Sequence, residues 1–187
     1  EKDTRDLFMS LWEREQKEGP PLEKDEEMTP EQLGLQGADL VVAYLKQVDP
    51  EELVISMNET FAVPVGDSDR PLIGEIDCVV EHAKARFLVD WKSSARRWPK
   101  DQADRSLQPT TYLYAHRQLH PAEAPWFRFD VVVKNKAPVV ERHITVRTSD
   151  DFQRFERLVS KAEQIVRHEL FYPSDQSFAC NGCQFQE

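Results

Sequence analysis

The stretch 73–94, "IGEIDCVVEHAKARFLVDWKSS", decides how this chain reads. It is two apolar runs joined by a short polar break, the pattern of a β-hairpin. Placing the turn on His82-Ala83-Lys84-Ala85 sets the pairing. Ile76 then faces Trp91, Cys78 faces Val89, and Val80 faces Phe87, which makes one face an apolar core face. The other face pairs Val79 with Leu88, Asp77 with Asp90, and Glu75 with Lys92.

Two carboxylates opposite each other have Cβ atoms roughly 4.5–5.5 Å apart and repel. A divalent cation offsets that repulsion, because Mg²⁺ favours oxygen donors and takes one or two carboxylates beside substrate phosphate. Lys92 lies two residues beyond Asp90 and shares its face, where an ammonium can meet developing negative charge. Glu75 is the expected counter-charge to Lys92. Taken alone, these residues better describe a surface hairpin with an ordinary charged side; the rest of the sequence reverses that balance.

Around the hairpin the order is helices, a strand meander, a helix, strands and a helix, which makes a mixed α/β (α+β) domain. Residues 3–17 are helix-like and charged. Thr29-Pro30-Glu31-Gln32 has the form of a capping box with proline in the first turn, opening a helix to about Gln47. "LVISMNETFAVPV" reads as a strand, 104–119 as a helix, and "WFRFDVVVK" and "PVVERHITVR" as strands. A last helix starts at Thr148 or Ser149 and runs to about Leu170 with the stripe Phe152, Phe155, Val159, Ala162, Val166. Three segments follow from this: an N-terminal helical part (1–50), a core (51–172) and a cysteine-bearing tail (173–187).

Bulk properties set limits. The chain has 187 residues, 40% of them hydrophobic, enough for one domain with a sizeable core. No apolar run approaches the roughly 18 residues of a membrane span, and the start lacks a signal-peptide layout, so the chain reads as cytoplasmic. It opens in charged sequence without an initiator Met, which reads as a chain that continues upstream. The net charge of −10 argues against a broad nonspecific nucleic-acid surface. A local basic segment nevertheless holds Lys92, Arg96, Arg97, Lys100 and Arg105, a phosphate-binding patch or a solvated loop. Among three cysteines, Cys180 and Cys183 form C-x-x-C, a spacing of metal or redox chemistry inside cells. Zinc would need two further ligands.

Gln108 and Tyr112 are four residues apart, on one face of the helix after the basic segment. An amide and a phenol there can hold a phosphate, a water or a base edge. A core tyrosine beside an exposed glutamine fits the same spacing.

Asp77, then Asp90-Trp91-Lys92, then Gln108-x-x-x-Tyr112, in that order on strand, strand and helix, resembles the PD-(D/E)xK nuclease superfamily. Within it the set is similar to RecB-type nucleases with a Q-x-x-x-Y motif. The resemblance covers about residues 55–187, and its cysteine tail is AddB-like. It implies a restriction-endonuclease-like core, a central mixed β-sheet flanked by helices. It also implies Mg²⁺- or Mn²⁺-dependent hydrolysis of DNA phosphodiesters, with exonuclease action in recombination, repair or phage- and CRISPR-related processing. A helicase or other repair subunits would be partners.

By position, Asp77, Asp90 and the Trp91 backbone carbonyl would be metal ligands and Lys92 the catalytic lysine. Gln108 and Tyr112 would organise the site, and Arg96, Arg97, Lys100 and Arg105 would meet DNA. Cys180 and Cys183 would be two of four ligands to a 4Fe–4S cluster. Two departures stand out. The family's helical histidine has no counterpart here: His82 falls in the turn, and His116, His120, His143 and His168 come late and read as surface or satisfied histidines. The two remaining cluster cysteines are also missing, which reads as a chain clipped at both ends with its cluster incomplete. A degenerate nuclease fold that binds DNA or protein is the alternative function, and a metal-stabilised structural protein a third.

Overall fold

The computed structural model describes residues 1–19 and 28–170. Cys180 and Cys183, and the whole of the 173–187 tail assignment, lie outside the described residues. Helices α1 (Lys2–Glu18) and α2 (Pro30–Leu45) precede strands β1 (Leu53–Val63), β2 (Leu72–His82) and β3 (Ala85–Ser94). Helices α3 (Gln102–Arg105) and α4 (Leu107–Leu119), strands β4 (Trp126–Val133) and β5 (Val139–Thr145), and helix α5 (Ser149–Arg167) complete the order. The five strands form one sheet in chain order. Every neighbouring pair is antiparallel except β3 and β4, which run parallel. The parallel pair needs a crossover, and α3 and α4 supply it. This is the mixed sheet flanked by helices that the resemblance implies.

Local chemistry sets the boundaries. Thr29 caps α2 and forms a reciprocal capping box with Gln32, with proline at the helix start. Thr148 and Asp151 do the same for α5. The β2–β3 turn falls on Ala83 and Lys84, with φ of 49° and 66°. Two left-handed residues are what a two-residue type I′ hairpin requires, and neither residue favours that region. On α2, a Cβ added to Gly34 would come within 2.6 Å of the Trp12 ring, and one on Gly37 equally close to Phe8. The two glycines let α1 lie directly on α2.

One expected helix is two. The chain breaks at Ser106, which is extended at φ −69°, ψ 137° between α3 and α4. Proline at 109 then occupies the first turn of α4, where its missing N–H costs little. The new helix start gives Gln108 a position in the first turn of α4.

The hairpin also differs from the expectation of one core face. The larger core cluster includes Phe61, Ile76, Val79, Leu88, Leu113, Phe127, Phe129 and Val131, with Tyr112 packed on it. Cys78, Val80 and Val89 form a separate cluster with Phe87. Both sides of the hairpin are therefore buried around Cys78–Val80. Ile76 and Cys78 belong to different clusters, so the alternation of β2 resets at Asp77. The β1–β2 pairing skips the same point, between Met57–Cys78 and Glu59–Ile76, where Asn58 is left-handed at φ 52°. Trp91 is not a core residue: it is 37% exposed and meets Tyr44 edge-on.

Candidate active site

Hydrogen-bond pairing between β2 and β3 follows the expected register from His82–Ala85 to Cys78–Val89, then stops. The next positions are Asp77 and Asp90. From there β2 continues with β1 alone, while β3 stays paired to β4 through Ser94–Val133. The two central strands part where the carboxylates would face each other. The Trp91 amide, released from that ladder, donates to Asp77 Oδ2 at 3.4 Å. Like-charge repulsion and desolvation both disfavour continued pairing here.

Asp90 is 1% exposed and follows the core residues Leu88 and Val89 on β3. Its two oxygens have different surroundings. The Gln108 side-chain amide donates to Oδ1. The Lys92 ammonium lies 2.6 Å from Oδ2, an ionic contact off the alignment of a hydrogen bond, so that buried oxygen lacks a well-directed donor. Burial pushes the Asp90 carboxyl above the ordinary carboxylate range. Lys92 opposes the shift, Asp77 adds to it, and Gln108 opposes it. Lys92 is 37% exposed in its side chain and lies 6.0 Å from the centroid of the Phe129 ring.

Gln108 and Tyr112 share one face of α4, as their spacing predicts. Gln108 Nε2 also lies 3.2 Å from the Tyr112 hydroxyl. The Tyr112 ring packs against Phe61 and Phe127, at centroid distances of 6.0 and 5.8 Å. Tyr112 is thus a core aromatic whose hydroxyl reaches the polar cluster. The structure brings Asp77, Asp90, Lys92, Gln108 and Tyr112 together through these contacts. Glu75 is outside the set: it is exposed and accepts from Asn58, while Lys92 pairs with Asp90.

The basic segment divides. Arg97 pairs with Glu141 at 2.7 Å, and Arg105 pairs with Asp101 one helical turn away. Arg96 and Lys100 are exposed, and neither forms an ion pair among the described residues.

A second buried charge network went unread in the sequence. Arg128 and Asp130 sit on β4, 4% and 0% exposed. Arg128 holds Glu52 through two hydrogen bonds at 2.6 and 3.0 Å and bonds Asp130 at 3.0 Å. The Tyr44 hydroxyl donates to Asp130 at 2.9 Å, and burial pushes that phenol up to about 12. Asp130 pairs with Trp91 in the sheet. The network therefore braces the strand that carries Asp90 and Lys92 from the α2 side. Its signal was visible: Arg128 and Asp130 interrupt an apolar strand just as Asp77 and Asp90 do.

Oxygen donors from Asp77 and Asp90, one of them a buried oxygen lacking a directed hydrogen bond, fit a hard divalent cation. Among the described residues no helix is long and apolar enough to cross a membrane.

Comparisons with known proteins bear on the fold. A solved structure of a candidate exonuclease from Eubacterium rectale superposes with a TM-score of 0.51 at 14% identity, covering 95% of this chain and 72% of that one. The structure of SSO0001 superposes with a TM-score of 0.41 at 14% identity, covering 96% of this chain and 76% of that one. No curated protein matches the chain in sequence. The sequence profile of the PD-(D/E)XK nuclease superfamily matches residues 2–187, and the chain belongs to that superfamily.

Proposed function

We propose that this chain is the nuclease domain of a divalent-metal-dependent deoxyribonuclease of RecB type, an exonuclease of DNA recombination or repair. One observation carries the reading. The buried Asp90 carboxylate is contacted by both Lys92 and Gln108 at the point where β2 and β3 separate beside Asp77. A binding module has no use for a desolvated carboxylate joined to a lysine at the mouth of a strand cleft.

In this reading Asp77, Asp90 and the Trp91 carbonyl hold Mg²⁺ or Mn²⁺. The ion supplies positive charge and Lewis acidity at the scissile phosphate. Gln108 keeps Asp90 oriented by donating to one oxygen, leaving the other directed into the site. Tyr112 holds Gln108 and is itself fixed by Phe61 and Phe127. Lys92, held at the cleft by Asp90, meets charge that develops on phosphate oxygens. Arg96 and Lys100 are the basic residues best placed by exposure to meet the DNA backbone. The RecB-type and exonuclease assignments rest on the Q-x-x-x-Y resemblance, as do a helicase partner and a 4Fe–4S cluster on Cys180 and Cys183.

The test is degradation of linear DNA with Mn²⁺ by the full-length protein and its Lys92→Ala and Asp90→Asn variants. The reading expects loss of activity by at least a hundredfold, on the order of what a positioned charge contributes. Wild-type rates in either variant overturn it.

A further inference from the structure

A second polar cluster lies at the opposite end of α4 from Gln108. His116 and His120 are one turn apart, and their rings lie tilted against each other at a centroid distance of 4.5 Å. Glu59 on β1 reaches the same place, with Oε1 3.2 Å from His120 Nε2. One ligand atom from each of the three lies within 4.8 Å of the others. Eight residues of helix separate His116 from Gln108, a rise of about 12 Å, so this is not the Asp90 cluster.

We infer that Glu59, His116 and His120 form a binding site for a zinc-type divalent metal, distinct from the nuclease centre. Two features select this over an ordinary polar cluster. First, His116 is 2% exposed, and its Nδ1 has no hydrogen-bond partner among the described residues. A buried ring nitrogen without a partner is destabilising, and a metal satisfies it. Second, the other nitrogen is fixed. His116 Nε2 lies 2.9 Å from Glu123, and Glu123 is anchored in turn by Arg86. A carboxylate on one imidazole nitrogen holds the proton there and leaves a lone pair on the other, the outer support that metal-bound histidines use. The His120–Glu59 contact at 3.2 Å is a hydrogen bond that a bound metal would replace.

Two imidazoles with one carboxylate favour zinc over magnesium, which prefers oxygen alone. His120 is 40% exposed in its side chain, so a fourth position is open to water. The bound metal ties β1 to the C-terminal end of α4. The expectation that both histidines are surface or satisfied is thus corrected: one is buried with an unmatched nitrogen.

The test is Co²⁺ titration of the full chain carrying Asp77→Asn, Asp90→Asn, Cys180→Ser and Cys183→Ser, which removes the other candidate ligands. The expected result is one Co²⁺ per chain, with visible d–d bands, no thiolate charge-transfer band, and a thermal midpoint raised by Zn²⁺. Adding His120→Ala or Glu59→Gln, both at partly exposed positions, should weaken binding on the order of tenfold or more. A background protein that binds no metal overturns the inference. So does unchanged affinity in both added variants.

Discussion

Gln108, in the first turn of α4, donates its side-chain amide to the buried carboxylate of Asp90 on β3. This bond ties the crossover helix to the strand carrying the candidate metal ligands. It also gives Gln108 a role that the helix spacing alone leaves undecided.

Replacing Gln108 with Leu leaves Asp90 Oδ1 without its donor in a buried setting. The expected cost is about 1–3 kcal/mol of stability, with a fall in turnover. In the Asp90→Asn background the same change should cost measurably less, because the two side chains are coupled. Chemical denaturation of the four proteins in that cycle checks it. Equal costs in both backgrounds would mean that the Asp90 charge adds nothing to the bond.

Asp90→Asn should abolish nuclease activity yet stabilise the metal-free protein by roughly 1 kcal/mol, since it removes a desolvated charge. Lys92 loses its partner in that variant, but its partial exposure lets it reach water. Thermal melts in chelator decide this, and a lower midpoint than wild type contradicts it.

The raised pKa of Asp90 fixes the sign of two pH effects. The folded state disfavours the ionised form, so the cost of Asp90 is fully present above its folded pKa. That cost disappears as pH falls below the ordinary carboxylate value. Metal and proton compete for the same carboxylate, so Mn²⁺ affinity should fall as pH drops through the raised pKa. Lys92→Ala removes the group that holds the pKa down and should move that fall to higher pH. Calorimetric Mn²⁺ titrations across acidic to neutral pH measure both shifts.

The β2–β3 turn carries Ala83 and Lys84 in left-handed conformations. Substituting Asn for Ala83 and Gly for Lys84 should stabilise the protein by about 1 kcal/mol, because both residues suit a type I′ turn. Activity should be unchanged, since the turn lies at the far end of the hairpin from Asp77 and Asp90. Denaturant midpoints and nuclease rates of the double variant check both statements.

Much of this was legible in residues 73–94. The hairpin register follows from alternating apolar residues and a two-residue turn, both local features. The capping boxes at Thr29 and Thr148 are local too. What the sequence hid was non-local. The break at Ser106 separates two helices where one is expected over 104–119; the residues that carry the helical spacing, Leu107, Thr111 and Tyr114, all lie beyond it in α4 and do not reveal it. The end of the β2–β3 ladder at Asp77 depends on β3 having β4 as a second partner. The double burial of the hairpin shows only in the two separate core clusters that its residues join. The Glu59–His116–His120 cluster joins β1 to α4, residues far apart in the chain, and no spacing rule announces it.

The central claim is that Asp77 and Asp90 share a divalent metal where β2 and β3 part. A crystal of the full-length protein soaked in Mn²⁺, with anomalous scattering recorded, addresses it directly. The account predicts an anomalous peak in contact with both carboxylates, beside Lys92. Anomalous density absent from that cleft, or present only at Glu59, His116 and His120, would contradict it.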